Sequence, residues 1–449
     1  MLNKFKICHF FYFLILIEYC WTENGKESCF CELNSDVDHC TCSVNNVDSL
    51  NNLKLYPRLQ NILQRDYFKF FKVNLNKDCP FWKDNSQCSS KDCHVNQCEE
   101  TQLPDGIKDE DSKYKHSKES QGEKCDDNKG TLGKLDRTIS IEDKEAFDSW
   151  KKHDDAQDNF CELDDDSSES SSYVDLQLNP ERYTGYNGPS AHKIWNSIYE
   201  ENCFKPEAND YIAYIQSADK VMCLEKRVFY RLVSGLHSSI STHLTAIWQF
   251  KDPFTNKVTW GPNVKEFKRR FDPVTTDGEG PQRLKNLYFT YLVELRAIAK
   301  AAPYLNKESY YTGNQTEDRH VKNLVKEFLS EISSFPAHFD ETQLFKDEFN
   351  NPIKLKEEFK SHFRNISKIM DCVGCDKCRL WGKLQTRGLG TALKILFTNE
   401  DQQCKSPLNT ETNCNNLQLK RTEIVSLFNA FGRLSRSIHE INQFRSKLN

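Results

Sequence analysis

The chain has 449 residues, of which 37% are hydrophobic and 28% charged, with a formal net charge of −5. That length suggests roughly two to three domains as a prior and is ample for a large core; no nucleic acid is expected as a partner. The 19 cysteines make up about 4% of the chain, below the roughly 8–10% of a small scaffold that depends on its bridges, so the thiols need another reason.

The N-terminus opens with Lys4 and Lys6, followed by an apolar run from Ile7 to Ile17. This reads as a secretory signal peptide over residues 1–23, too short to span a bilayer. Its removal takes Cys8 and Cys20 and leaves an odd number of cysteines in an oxidising compartment, so one thiol stays free or the pairing changes. The chain ends QFRSKLN, without a retention signal of the KDEL type. Residues 24–449 read as a single domain. Within it, "CFCELNSDVDHCTC" packs four cysteines, and a nested pairing of Cys29 with Cys42 and Cys31 with Cys40 suits a tight hairpin, although three connectivities are open. Residues 50–75 look helical and end in an aromatic patch. The stretch 79–98, with Cys79, Cys88, Cys93 and Cys98, is turn-rich and reads as a mobile loop. The acidic insertion at 99–148 reads as solvated and partly disordered. Across 99–172 there are 23 acidic against 11 basic residues.

From Tyr173 onward the pattern is helical. Phe229, Leu232, Val233, Leu236 and Ile240 mark one helix face. Leu284, Leu287, Tyr288, Tyr291, Leu292 and Leu295 mark a second. Ile424, Leu427, Phe428, Phe431, Leu434, Ile438 and Ile441 mark a third, with Thr422 as its expected cap. Strand-like alternation is scarce, so the expected class is mainly α: one helical core with cysteine-rich loops. Two sequons, at Asn314 and Asn365, are candidates for glycosylation.

The segment "DCVGCDKC" places Cys372, Cys375 and Cys378 in two overlapping C-x-x-C units. Three uses are open: a metal cage, a structural knot or a redox relay. Zinc needs four ligands, and an oxidising compartment disfavours thiolate cages, so no metal site is expected. Residues three apart share a helix face, and Lys377 and Arg379 flank the pair, which favours thiolate chemistry. A relay needs an acceptor, yet no G-x-G-x-x-G follows a strand; "GEGP" and "GLG" do not fit that template. Arginines suit a pyrophosphate and tryptophan a flat ring. On spacing alone, however, Trp195 reads as core packing and His237 as a satisfied buried histidine.

Together, "CFCELNSDVDHCTC", "CPFW", "NPERYTGY", "EENCFKP", "FYRLVSGLH", "GEGPQRLKNLYF" and "MDCVGCDKCRLWGKLQTRGLGTALKILF" resemble the endoplasmic reticulum oxidoreductins, flavin-dependent thiol oxidases that recharge protein disulfide isomerase. The resemblance runs over about residues 29–449. It implies an α-helical fold that holds FAD without a Rossmann unit. It implies Cys375 and Cys378 as the active dithiol, with Cys378 next to the flavin, and Cys88 and Cys93 as a shuttle pair serving thioredoxin-like partners. Cys79–Cys372 and Cys203–Cys223 are implied as structural bridges. Cys88–Cys125 and Cys93–Cys98 are implied as regulatory bridges that sequester the shuttle. Cys161 is left unpaired, and Cys404 and Cys414 are expected to form a local bridge. For FAD the resemblance carries onto Arg182, Thr184, Trp195, Ser234, His237, Arg283 and Arg296. The implied activity passes electrons from isomerase dithiols through FAD to molecular oxygen, giving hydrogen peroxide, in the endoplasmic reticulum lumen, either in solution or peripherally on the membrane. The alternative is an inactive disulfide-rich lumenal or secreted binding protein.

Overall fold

The computed structural model describes residues 44–82, 93–108, 170–181, 188–202, 224–333, 363, 365–397 and 419–448. The expected signal peptide, the cysteine-rich hairpin at 29–42 and most of the acidic insertion lie outside these residues.

The described residues begin with α1 (Val44–Leu50), which runs through a wide turn at Asn51–Leu55 into α2 (Tyr56–Leu63). A single turn, α3 (Asp66–Lys69), leads into β1 (Phe70–Val73). After α4 (Asp105–Lys108), β2 (Ser172–Asp175) pairs antiparallel with β1, Phe71 opposite Val174. Then come α5 (Gly188–Asn202), α6 (Leu224–Ala246), and the hairpin of β3 (Trp248–Lys251) and β4 (Val258–Gly261). After α7 (Val264–Phe271) the described residues include α8 (Glu279–Leu305), α9 (Gln315–Ser333), α10 (Asp376–Phe397) and α11 (Arg421–Leu448). The protein is mainly α, with two small two-stranded sheets among the described residues.

The apolar stripes read from the sequence explain the arrangement. Helices α6, α8, α10 and α11 form a four-helix bundle. Phe229, Leu232, Leu287, Tyr291, Leu295 and the seven-residue stripe of α11 are all buried within it. Each such fully buried apolar side chain contributes about 1.5–3 kcal/mol. Helix α11 is enclosed around most of its circumference, with even Asn429, Arg433 and Ser435 buried. Its polar groups therefore need internal partners: Ser437 shares a 2.7 Å hydrogen bond with Ser239 of α6, and Asn429 donates to the Phe68 carbonyl.

Two glycines permit the close helix approaches. A methyl group at Gly235 would collide with the Thr290 side chain and the Asn286 carbonyl of α8, and one at Gly388 with Ala430 of α11. "SGLH" and "GLG" thus carry packing requirements of the bundle.

Two local expectations differ from the structure. The aromatic patch after residue 66 becomes one helical turn and then a strand, because Phe70–Val73 finds a partner strand about a hundred residues away. Thr422 lies inside α11 rather than capping it. The Glu423 carboxylate instead accepts the Lys420 amide (2.8 Å), while the Thr422 hydroxyl accepts from Arg387 (3.0 Å).

Candidate redox and cofactor site

The three cysteines of "DCVGCDKC" stand at the start of α10. Residues 365–370 are helical, a turn follows, and α10 begins at Asp376, so the motif joins two helices. Cys372 is bonded to Cys79, a bridge across 293 positions of sequence. Cys375 and Cys378 are bonded to each other. The three thiols therefore divide into a tether and a neighbouring pair.

The turn is braced on both sides. Arg379 donates to the Val373 carbonyl (2.8 Å) and the Leu75 carbonyl (2.5 Å), locking the motif to the loop that carries Cys79. Lys383 makes a buried 2.5 Å ion pair with Asp371. Cys375 sits just before the first residue of α10, and the Cys378 amide donates to its sulfur at 3.3 Å. A sulfur at a helix N-terminus meets unpaired N–H groups and the positive end of the helix dipole, which favours its thiolate on reduction.

Cys93 packs directly into this centre. Cys93, Cys375 and Cys378 form one buried apolar cluster with Val373 against it, and Cys93 is 2% exposed. Cys93 is itself in a disulfide; Cys88, its expected shuttle partner, lies outside the described residues, as do Cys125, Cys161, Cys203, Cys223, Cys404 and Cys414. The Cys93–Cys98 bridge is not formed: Cys98 is a free thiol. It packs with Phe70, Leu103 and Ile107, on a different cluster from Cys93, so joining the two would require the segment to leave one of its two sites. Burial, reinforced by Asp175, pushes the Cys98 thiol up, so it is a poor nucleophile where it stands.

A second cluster lies on α5, α6 and their neighbours. Trp195 stacks on His237 with ring centroids 3.7 Å apart and planes 11° from parallel. The Tyr199 hydroxyl and His237 Nδ1 share a 2.8 Å hydrogen bond. One turn before His237, the Ser234 hydroxyl accepts from Asn286 (3.0 Å). Burial, with Arg283 and Arg270 adding repulsion, pushes the His237 pKa down to about 3, so the ring is neutral. Arg270 was not singled out in the sequence. Paired with Glu266 one turn earlier, it reads as an ordinary surface charge on α7. The available signal was its i+3 spacing from the buried Phe267. Arg296 stands 13 positions beyond Arg283 on the same helix, a rise of roughly 20 Å. Arg182 and Thr184 lie outside the described residues.

This neutral histidine gives a pH dependence. In an unfolded chain the imidazole titrates near about 6.5. The fold holds it unprotonated, so the unfolded state takes up the proton first. Stability is therefore full above about pH 6.5 and declines as pH falls toward the folded value. Denaturant midpoints measured from about pH 7 to about pH 4 are expected to fall less steeply in His237→Gln than in the parent. Parallel curves would contradict the assignment.

The residues fit a flat heteroaromatic ring with a diphosphate. The parallel Trp195–His237 stack suits the ring, and Arg270 and Arg283 suit the anion. Gln385 adds an orphaned polar group. It lies on the Cys378 face of α10, two turns on, is 3% exposed, and neither amide atom has a partner. Among the described residues, no group of three or more histidine, cysteine or acidic side chains is placed to hold a metal ion, and no helix is long and apolar enough to cross a membrane. Of the two sequons, Asn314 is exposed just before α9 and accepts the Thr316 amide (3.1 Å), whereas Asn365 is buried.

Comparison with known proteins gives consistent matches. The family model for Endoplasmic Reticulum Oxidoreductin 1 (ERO1) matches residues 54–441. The "Ero1-like protein" of Drosophila melanogaster is 51% identical over 453 residues, covering 95% of this chain and 92% of that protein. The "ERO1-like protein alpha" of Homo sapiens is 49% identical over 445 residues, covering 95% and 93%. Among solved structures, a double cysteine-to-alanine mutant of S. cerevisiae Ero1p matches with a TM-score of 0.58 at 31% identity, over 90% of this chain and 97% of that one. A structure titled "Structure of Ero1p, Source of Disulfide Bonds for Oxidative Protein Folding in the Cell" matches with a TM-score of 0.56 at 30% identity.

Proposed function

The chain belongs to the Endoplasmic Reticulum Oxidoreductin 1 family, and from that premise we propose that it is an FAD-dependent thiol oxidase of the endoplasmic reticulum lumen that oxidises protein disulfide isomerase and related thioredoxin-like partners. The observation that carries this reading is the burial of Cys93 against the Cys375–Cys378 disulfide. A disulfide exchanges only with a thiolate that reaches its sulfur, and this cluster brings Cys93 to the Cys375–Cys378 disulfide.

The partner's dithiol reduces Cys88–Cys93 and leaves as a disulfide. The Cys93 thiolate then attacks Cys375, forming a mixed disulfide and releasing Cys378 as thiolate. Cys88 attacks Cys93, and Cys375 departs as a thiolate stabilised by the Cys378 amide and the N-terminus of α10. Two electrons and two protons have now moved inward, and Cys88–Cys93 is oxidised again. FAD, which Trp195, His237, Arg270 and Arg283 would hold together with Arg182, Thr184 and Arg296, would supply the two-electron acceptor that molecular oxygen re-oxidises, giving hydrogen peroxide. Ser234 and Gln385 are further candidate contacts for it. Cys98, free here, is the thiol that would withdraw Cys93 in the regulatory state, with Cys125 doing so for Cys88. The inactive binding-protein alternative has no support from family membership.

The test is the visible spectrum of the purified, dialysed protein under nitrogen. A flavin spectrum that bleaches with a dithiol and returns in air is expected; a protein that stays colourless after FAD is added would overturn the proposal. In Cys93→Ala, a small dithiol should still bleach the flavin while a reduced isomerase should not. Equal bleaching by both reductants would remove Cys93 from the relay.

A further inference from the structure

The shuttle segment is held onto the dithiol helix by one buried side chain that has no place in the relay itself. Asn179 is fully buried, three residues ahead of the NPERYTGY run's Arg182. Its Oδ1 accepts the Asn96 amide (2.7 Å) and its Nδ2 donates to the Asn96 carbonyl (2.8 Å). The second Nδ2 hydrogen goes to the Asp175 carbonyl (2.9 Å). The side chain thus acts as a neighbouring strand would, satisfying both backbone groups of one residue. The next two residues continue the pattern with real strand contacts: Gln97 bridges Val174, and the Cys98 amide donates to the Tyr173 carbonyl (2.8 Å).

Asn179 is in turn fastened to the helix bearing the active pair. The Trp381 indole N–H donates to the Asn179 main-chain carbonyl at 2.8 Å, and Trp381 is one turn after Cys378 on α10. A short covalent and hydrogen-bonded path therefore runs from Cys378 through Trp381 and Asn179 to Asn96, three residues from Cys93. On the other side, His94 approaches Asp376 at 3.7 Å, but both are exposed, so that contact adds little. No other described contact fixes both polar backbone atoms of a residue between Cys93 and Cys98.

We propose that Asn179, set by Trp381, is the latch that docks the shuttle segment on the active disulfide. It is a positioning residue: it touches neither sulfur, but it determines whether Cys93 lies against Cys375 and Cys378. The latch also gives the segment two alternatives. Closed, Cys93 is buried in the centre; open, residues 93–98 are released from the sheet edge, and Cys93 is exposed to a partner protein. The inference rests on the reading of Cys93 as the shuttle thiol.

The test uses the full chain with Asn179→Ala and, separately, Trp381→Phe, which removes only the indole donor. Amide hydrogen exchange at Asn96 and Cys98 should accelerate on the order of tenfold or more in Asn179→Ala, matching the loss of two buried hydrogen bonds, and less in Trp381→Phe. Flavin bleaching under nitrogen by a reduced thioredoxin-like protein should slow by about tenfold relative to bleaching by a small dithiol, since only the former needs the docked segment. Unchanged exchange at both amides in both variants, or equal slowing with both reductants, would overturn the latch. If Asn179→Ala does not fold, Trp381→Phe decides on the same two readouts. The exchange measurement needs neither flavin nor partner. A colourless protein with accelerated exchange would therefore sink the oxidase reading and leave the latch standing.

Discussion

Cys378→Ala, loaded with FAD, should keep its flavin absorbance under nitrogen whatever dithiol is added. Cys375 and Cys378 are each other's disulfide partner, and Cys378 lies inside the first turn of α10, on the face that also carries the buried, unpartnered Gln385. Removing it leaves Cys375 without the partner that would take up electrons as a thiolate. It also removes the thiol that the family resemblance sets against the ring. The shuttle is untouched, so a reduced isomerase should still form a mixed disulfide with Cys93 or Cys88, seen as a higher-mass band without reductant. Loss of bleaching with retained mixed disulfide separates a broken inner step from a misfolded protein. Bleaching at the parent rate would end the assignment of this pair.

The second large effect is on stability. Lys383→Met should cost about 3–5 kcal/mol, because it breaks a buried ion pair by removing one of its two charges. Asp371 adjoins Cys372, and Lys383 is five residues past Cys378. The pair therefore joins the tethered end of the motif to the helix that bears the Cys375–Cys378 disulfide. The double variant Lys383→Met with Asp371→Asn should recover much of the loss, since it removes both buried charges rather than one. Urea unfolding of the three proteins, followed by far-ultraviolet circular dichroism, reads this directly. A single variant within about 0.5 kcal/mol of the parent would show that the pair contributes nothing at this site.

The bundle was legible because it is made of long, strongly periodic helices. The stripes at 229–240, 284–295 and 424–441 each fall on one face at the helical period; the third is buried throughout, and the first two are buried except at Leu236 and Leu284, which are half-buried. The β1–β2 sheet was not legible. Its strands are four residues long, they lack an alternating pattern, and they lie about a hundred residues apart, so neither segment announces the other. Arg270 was hidden by a local explanation that is also true: it pairs with Glu266. Asn179 opens the NPERYTGY run, and nothing in the sequence tells that its side chain will meet Asn96, 83 positions earlier.

By itself the sequence determined the helical class, the apolar faces that close the bundle, and the spacing of three cysteines that makes a tether and a vicinal pair available. These are local properties, set by periodicity and by which residues stand within one helical turn. Only the tertiary structure decided which sulfur meets which. It also stacked Trp195 on His237 and placed two arginines beside that ring. Finally, it set Asn179 between Trp381 of α10 and Asn96. Those are contacts between residues tens to hundreds of positions apart, and their energies come from burial and from hydrogen bonds that exist only once the helices have packed.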